Sequence, residues 1–427
     1  MFGFIKNGER MKKELGIDKF IKNLISKYLF EICMLAMIFA ATAIRCRFAS
    51  ETTLSPDYES YYKPWVDFYR ENGIIKGLGN AIGDYYVPLN VLYALCSLLP
   101  VEPWIPLSVV TYVCEMLSAC SIFGIFYVLT GRKHHSMFAG VATLFLPFVA
   151  FNGSLWKQVD SIYTCFILIS IYHMLKQHYR ATFIWYGVAF AVKLQSVIFL
   201  PVLIILYITE GFHSYDKVVK DAQARNSFSI LEFLWIPAIY LMAGLPEVLC
   251  GNGLRRTYLS YLYQTRELDS EGYGMVSFFP NLYNLGFDDY DSLLSTAAIM
   301  LTFAVFVIIT YTCYRKKENL DKRTVLYLAI WTAWTCVVLL PGMHERYDYS
   351  VLLLLTPFAI LLRKKILWPM LIANICSLAV YARTLFRADD LINMPVVSLF
   401  YVAAYLYVTI DIMKLINGDT GEKYGEA

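Results

Sequence analysis

Long apolar runs, broken at intervals by short polar and basic segments, fill this chain almost from end to end. A spanning helix needs roughly 17–25 apolar residues, fewer inside a bundle. Lys and Arg collect on the cytoplasmic side. Together these rules predict an all-α polytopic fold of about twelve transmembrane helices. Residues 1–27 carry Lys6, Arg10, Lys12, Lys13, Lys19, Lys22 and Lys27 and read as a cytoplasmic amphipathic segment. The run 28–44 follows a basic stretch and lacks a small-residue cleavage site, so it reads as the first span rather than a cleaved signal. Residues 28–415 then form one transmembrane domain, and 416–427 a cytoplasmic tail. Arg45 and Arg47, at the exit of the first span, read as snorkelling side chains.

The segment 50–103 is acid-rich and falls outside as the first outer loop. Its apolar stretch 87–99 reaches only about 20 Å as a helix, short of the bilayer core. It reads as an extracytoplasmic juxtamembrane helix, and that choice sets the parity of all later spans. The run 104–130 then ends inside on Arg132-Lys133-His134-His135. Further spans are expected at 137–151, 161–175, 230–250, 293–311, 325–340, 367–381 and 396–412, with another ending at Arg363-Lys-Lys365. The stretch 181–208 is broken by Lys193-Leu-Gln195 and reads as two short helices meeting at the outer surface. Residues 251–292 form a long outer loop, Tyr-rich from Tyr258 to Tyr283 and holding Gln264 and Arg266; a loop of that length without function would be unusual. Nearly every basic cluster falls inside. Arg255, Arg256, Arg266, Arg383 and Arg387 stay outside, which makes them candidates for holding a phosphate.

Composition supports this class: 58% hydrophobic and 16% aromatic residues, with mean hydropathy +0.50. The net charge of +3 gives no reason to expect a nucleic-acid partner. Ten cysteines are scattered without a Cys-x-x-Cys pair. They read as small buried hydrophobes, with neither a metal finger nor a disulfide framework. The chain has no Gly-rich phosphate loop, no His-Glu-x-x-His and no Gly-x-Ser-x-Gly, so nucleotide-driven transport and zinc proteolysis lose support.

Threading gathers the chemistry on the outer face. Asp57 lies in Ser55-Pro-Asp-Tyr58, with Tyr61, Tyr62 and Trp65 after it. It reads as a general base for an acceptor hydroxyl or as a helix cap on a wet loop. Asp84, in Gly83-Asp-Tyr-Tyr-Val-Pro88, stands directly before the juxtamembrane helix, and capping that helix is its plainer reading. Trp156, Gln158 and Asp160 alternate as on a binding edge, Trp for stacking a sugar and Gln and Asp for its hydroxyls; Asp160 as a cap is the plainer alternative. Lys193, alone between short apolar helices, needs an anionic partner, a ligand or a catalytic carboxylate, unless it snorkels. In the tetrad His344-Glu345-Arg346-Tyr347, Arg346 offers a donor fork suited to phosphate and His344 a second donor. Glu345 is their internal counter-ion, and a purely structural ion-pair cluster is the rival reading.

These segments, Asp57-Tyr with Pro64-Trp65, Gly83 to Pro88, Trp156-x-Gln-x-Asp-Ser-Ile-Tyr163, Lys193-x-Gln195 and Met343 to Tyr347, resemble the GT-C superfamily of polytopic glycosyltransferases. They are most similar to bacterial relatives of the second GPI mannosyltransferase, the PIG-V type. The resemblance implies a GT-C transmembrane fold and transfer of a hexose, mannose or similar, from a polyprenyl-phosphate carrier to a lipid-linked or cell-surface glycan outside the cell membrane. It implies inversion at the anomeric carbon with Asp57 as the base. Asp84, Trp156, Gln158 and Asp160 would bind acceptor or sugar; Lys193, Gln195, His344 and Arg346 would hold the carrier phosphate. No cofactor is expected, and a divalent metal stays open. The chain departs from the family pattern at Val87-Pro88, where relatives often show Pro-Pro, and at Lys157, where Gly is common. Both changes bear on the acceptor pocket.

Two other functions compete. A surface-polysaccharide polymerase or ligase normally concentrates paired arginines in large outer loops, and Arg255-Arg256 fits it. A lipid-linked glycan transporter or flippase would place ionisable residues near the midplane of several helices and show internal repeats. Glu31, Glu115 and Glu232 lie inside apolar runs, but no convincing repeat accompanies them.

Overall fold

The computed structural model describes residues 16–83, 85–212, 227–263, 278–287 and 291–419, and among them every regular element is helical. The first helix, α1 (Gly16–Ala49), leaves helical backbone angles at Tyr28, where the basic segment meets the first apolar run. After α1 come a π-helical turn (Tyr58–Tyr62), α2 (Lys63–Asn72), α3 (Ile74–Gly79) and α4 (Val87–Cys96). Pro88 begins α4, where its missing N–H and fixed φ cost nothing.

Next come α5 (Trp104–Thr130), α6 (Lys133–Thr143), α7 (Pro147–Ala150), α8 (Asp160–Leu175), α9 (Tyr179–Val192) and α10 (Leu200–Ile208). A sharp bend of 52° separates α6 from Pro147–Leu155. The remaining elements are α11 (Trp235–Leu249), α12 (Leu254–Tyr258), α13 (Asp291–Arg315), α14 (Lys322–Leu339), α15 (Tyr349–Leu361), α16 (Leu367–Phe386) and α17 (Met394–Asn417).

Six helices are long and apolar enough to cross a membrane, or seven if the bent pair is one span. The protein is therefore a helical multi-pass membrane protein. The expected total of about twelve exceeds what helix length and composition carry. The difference lies in short elements: α8 has 16 residues, α9 has 14, α10 has 9 and α15 has 13. At 1.5 Å per residue none reaches 30 Å.

Of these, α8 and α15 sit inside, as does α14. Every residue of α14 from Thr324 to Leu339 is buried, and α8 and α15 are buried over most of their length. A helix apolar on all sides belongs in a core. The window of α1 that could span is only 17% buried, and that of α13 likewise, so their apolar side chains face outward as a lipid-facing shell would.

The turns divide between the two ends of α14. At its start, Arg323 donates to the Leu129 carbonyl at 3.1 Å, and nearby Lys317 pairs with Glu210 at 3.1 Å. Asn319 donates to the Ile416 carbonyl at 2.8 Å, bringing the end of α17 to the same place. At the other end, α14 stops just before the His344 tetrad.

Arg45 is not a snorkelling residue. It is 4% exposed, and its Nε donates to Glu115 Oε2 at 2.8 Å, tying α1 to α5. Arg47 is exposed and pairs with Glu51 at 2.5 Å. Among the cysteines, Cys33, Cys46 and Cys120 are exposed rather than buried, and all ten are free thiols.

Candidate functional site

Four separate stretches of chain meet at the tetrad end of the bundle. Asp57 opens the π-helical turn, yet its carboxylate caps nothing. Its Oδ2 accepts instead from Trp156 Nε1 at 3.1 Å and from Gln158 Nε2. Burial raises the Asp57 carboxyl above its ordinary value; the Arg346 charge pulls it down and Glu345 pushes it up again.

The segment from Trp156 to Asp160 reaches Asp57 through an unusual backbone. Lys157 has φ of 64°, the left-handed region that favours glycine. Its side chain is buried and donates to the Ser154 carbonyl. The kink turns Gln158 back onto Asp57 and points Asp160 into the core. Trp156 is buried, with Tyr381 edge-on at 5.4 Å and the Arg346 guanidinium 5.3 Å from its ring. That ring is already covered by protein, so the expected sugar stacking has no open face here.

Asp160 does not cap α8 either. It is fully buried, and its Oδ1 accepts from Lys193 Nζ at 2.6 Å. Its Oδ2 accepts from Asn152 Nδ2 at 2.9 Å and lies 3.3 Å from Arg346 Nε. Asp160 is thus an anchor for two cations rather than an open ligand for hydroxyls. Lys193 stands at the joint after α9, with extended backbone angles, and is buried rather than at the surface. Its ammonium faces the rings of Tyr347 at 5.6 Å, Tyr163 at 5.7 Å and Tyr85 at 6.0 Å. An ammonium ringed by aromatic faces is held both by its carboxylate and by their quadrupoles.

The tetrad closes the cluster. Arg346 donates to Glu345 Oε1 at 2.6 Å. Burial pushes the Glu345 carboxyl up, but Arg346 and His344 outweigh it and hold it at about 2. His344 Nδ1 is 3.7 Å from Glu345 Oε2, and its ring lies 5.2 Å from Tyr347. Tyr347 accepts from Gln195 Nε2 at 2.6 Å, so Gln195 joins the same network. Asp84 lies outside the described residues, as do Gln264 and Arg266. Among the arginines expected outside, Arg256 donates to the Ala81 carbonyl at 2.9 Å and Arg383 pairs with Asp389 at 2.8 Å, whereas neither joins this cluster.

Further residues complete the cluster, and of these Tyr93 and Asn152 had no sequence signal of their own. Tyr62 donates to Gln158 Oε1 at 2.9 Å and lies 3.3 Å from the Tyr85 hydroxyl. Tyr62, Trp65, Tyr85 and Tyr93 pack ring to ring beneath Asp57. Gly83 allows this: its φ is 92°, and a Cβ there would lie 2.6 Å from the Trp65 ring. Asn152 bridges Asp160 to Tyr381, at 3.1 Å from the latter. Among the described residues no group of three or more metal-ligating side chains converges.

An apolar groove of about 700 Å³ runs between α10 and α13. Ile204, Ile208, Phe303, Phe306 and Tyr311 line it, and Val197 and Leu340 belong to its wall. Those last two residues stand beside Gln195 and the tetrad in sequence. No family model matches the chain. No curated protein is significantly similar to it.

Proposed function

We propose that this protein is an integral membrane glycosyltransferase of GT-C type, one that moves a hexosyl group from a polyprenyl-phosphate carrier to a glycan hydroxyl on the extracytoplasmic face. The observation that carries this reading is a half-buried carboxylate, Asp57, bonded to Trp156 and Gln158 beside an Asp160 that pairs with two cations, the buried Lys193 and the largely buried Arg346, the latter 5.3 Å from the Trp156 ring. The apolar groove that reaches Leu340 supports a lipid-borne donor.

In this reading Asp57 takes the proton of the acceptor hydroxyl as that oxygen attacks the anomeric carbon. The bond from that carbon to the phosphate oxygen breaks, and polyprenyl phosphate leaves with the electron pair. The anomeric configuration inverts. Trp156 and Gln158 orient Asp57 through its Oδ2, which leaves Oδ1 for the acceptor. Asp160 holds Lys193 and Arg346 beside it, while both keep further N–H donors for the departing phosphate. His344 and Gln195 complete the phosphate side. Glu345 balances Arg346 until the donor arrives. The GT-C architecture places the first-loop helices outside the membrane and counts the short inner helices as further spans, about twelve in all.

The test is transfer itself. Reconstituted protein is given a panel of polyprenyl-phosphate hexoses with membrane glycolipid acceptors, and products are read by mass spectrometry. One donor is expected to yield an acceptor heavier by one hexose. Flux of lipid-linked glycan across the bilayer with no transfer from any donor contradicts the proposal.

A further inference from the structure

A second polar site lies beside the Asp57 cluster. A cavity of about 540 Å³ opens between the loop before α4 and the end of α11, a size common for small-ligand sites. Glu247, on the last turn of α11, stands in its wall and is only 3% exposed. A carboxylate so buried is costly unless it is paired or hydrogen-bonded. Among the described residues Glu247 makes no ion pair. Three neutral donors hold it: Asn90 at 2.7 Å, Asn252 at 2.6 Å and Thr257 at 3.5 Å.

Asn90 and Asn252 line the cavity too, and each spends an amide N–H on the carboxylate. Their orientation is therefore set, with the amide oxygen left as an acceptor. Arg256 brings a guanidinium to the same wall, and Tyr85 and Tyr263 bring aromatic rings. Among the described lining residues one carboxylate and one guanidinium balance, so these residues favour neither a cation nor an anion. Fixed acceptors, a donor fork and two rings suit a neutral ligand rich in hydroxyls. Tyr85 is shared with the first cluster: its hydroxyl is 3.3 Å from Tyr62, which donates to Gln158, which donates to Asp57.

We propose that this cavity is a sugar-binding site in which Glu247 accepts hydrogen bonds from hydroxyl groups and which holds the acceptor glycan next to Asp57. The assignment to the acceptor rests on the transferase reading; sugar binding by the cavity does not. A buried carboxylate that only tied α4 to α11 would need no open volume beside it.

The test uses binding alone, without a donor. Saturation-transfer NMR is run on the detergent-solubilised full chain with methyl glycosides of mannose, glucose, galactose and N-acetylglucosamine, in both anomers. At least one is expected to bind the wild type and to bind Glu247→Gln about tenfold more weakly or worse. Ser260→Leu fills the same cavity without removing any partner of Glu247 and is expected to abolish that signal. It carries the test alone if Glu247→Gln does not fold, as judged by gel filtration and thermal midpoint. No binding of any glycoside to the wild type overturns the proposal, and so does binding to Ser260→Leu at wild-type strength. Cavity-dependent binding in a protein that transfers nothing would sink the transferase reading and leave this site standing.

Discussion

Two charges next to Asp57 act on it in opposite senses, and that gives a pH signature. In the proposed reaction a base works only when deprotonated, so the raised Asp57 carboxyl should place the acid limb of kcat/KM above the ordinary aspartate value of about 4. Arg346 lowers the Asp57 carboxyl and Glu345 raises it. Arg346→Gln should therefore shift the acid limb to higher pH, and Glu345→Gln to lower pH. Profiles that move in the same direction for both variants would break the assigned coupling. Lys157 offers a separate test. Its φ of 64° is one that glycine adopts freely and a β-branched residue resists. Lys157→Gly should keep a folded, active protein, whereas Lys157→Val should lose on the order of 1–3 kcal/mol, seen as a lower thermal midpoint. Equal midpoints for the two would contradict the backbone argument. The sequence alone singled out Asp57, Gln158, Asp160, Lys193 and Arg346 as polar residues at the edges of apolar runs. It did not show that Asp160 holds both cations, because residues 160, 193 and 346 meet only in three dimensions. Glu247 was equally hidden, standing at the end of an apolar run where a wet loop was expected to begin.

Helices were legible where their apolar runs had clear ends. The break at Lys193, the short apolar stretch after Val87 and the change of character at Tyr28 all fall where helices end, begin or kink. Span number was less legible, because hydropathy treats a helix wrapped by protein and one facing lipid alike. The inner α14 begins with Lys322-Arg323, and α15 is only 13 residues long, yet both are buried in the bundle. The Arg45–Glu115 pair makes a prediction about elements. It joins α1 to α5 at 4% and 0% side-chain exposure. Removing one partner leaves an uncompensated buried charge, so Glu115→Ala should cost about 3–5 kcal/mol. Replacing both together, Arg45→Met with Glu115→Leu, should recover most of that loss in a denaturation assay. A double variant as unstable as the single one would show that the pair matters beyond its charge balance.

Across the whole molecule, buried inner helices and an apolar outer shell hold one end of the bundle in a dense polar cluster. The opposite turns carry the basic residues Lys317 and Arg323. The sequence expected such a division from parity, since one short helix left uncounted places nearly every later basic cluster on one side, with Arg255-Arg256 among the exceptions. The central claim is that Asp57 activates an acceptor while Lys193 and Arg346 receive the lipid phosphate. The most direct measurement is hexose transfer in proteoliposomes by Asp57→Asn, with the wild type and Asp57→Glu run beside it. Asparagine keeps the shape and the contact to Trp156 but cannot take a proton. Transfer by Asp57→Asn should fall by roughly 10²–10⁴ with donor binding retained, and Asp57→Glu should recover part of it. Transfer at the wild-type rate by Asp57→Asn would contradict the account.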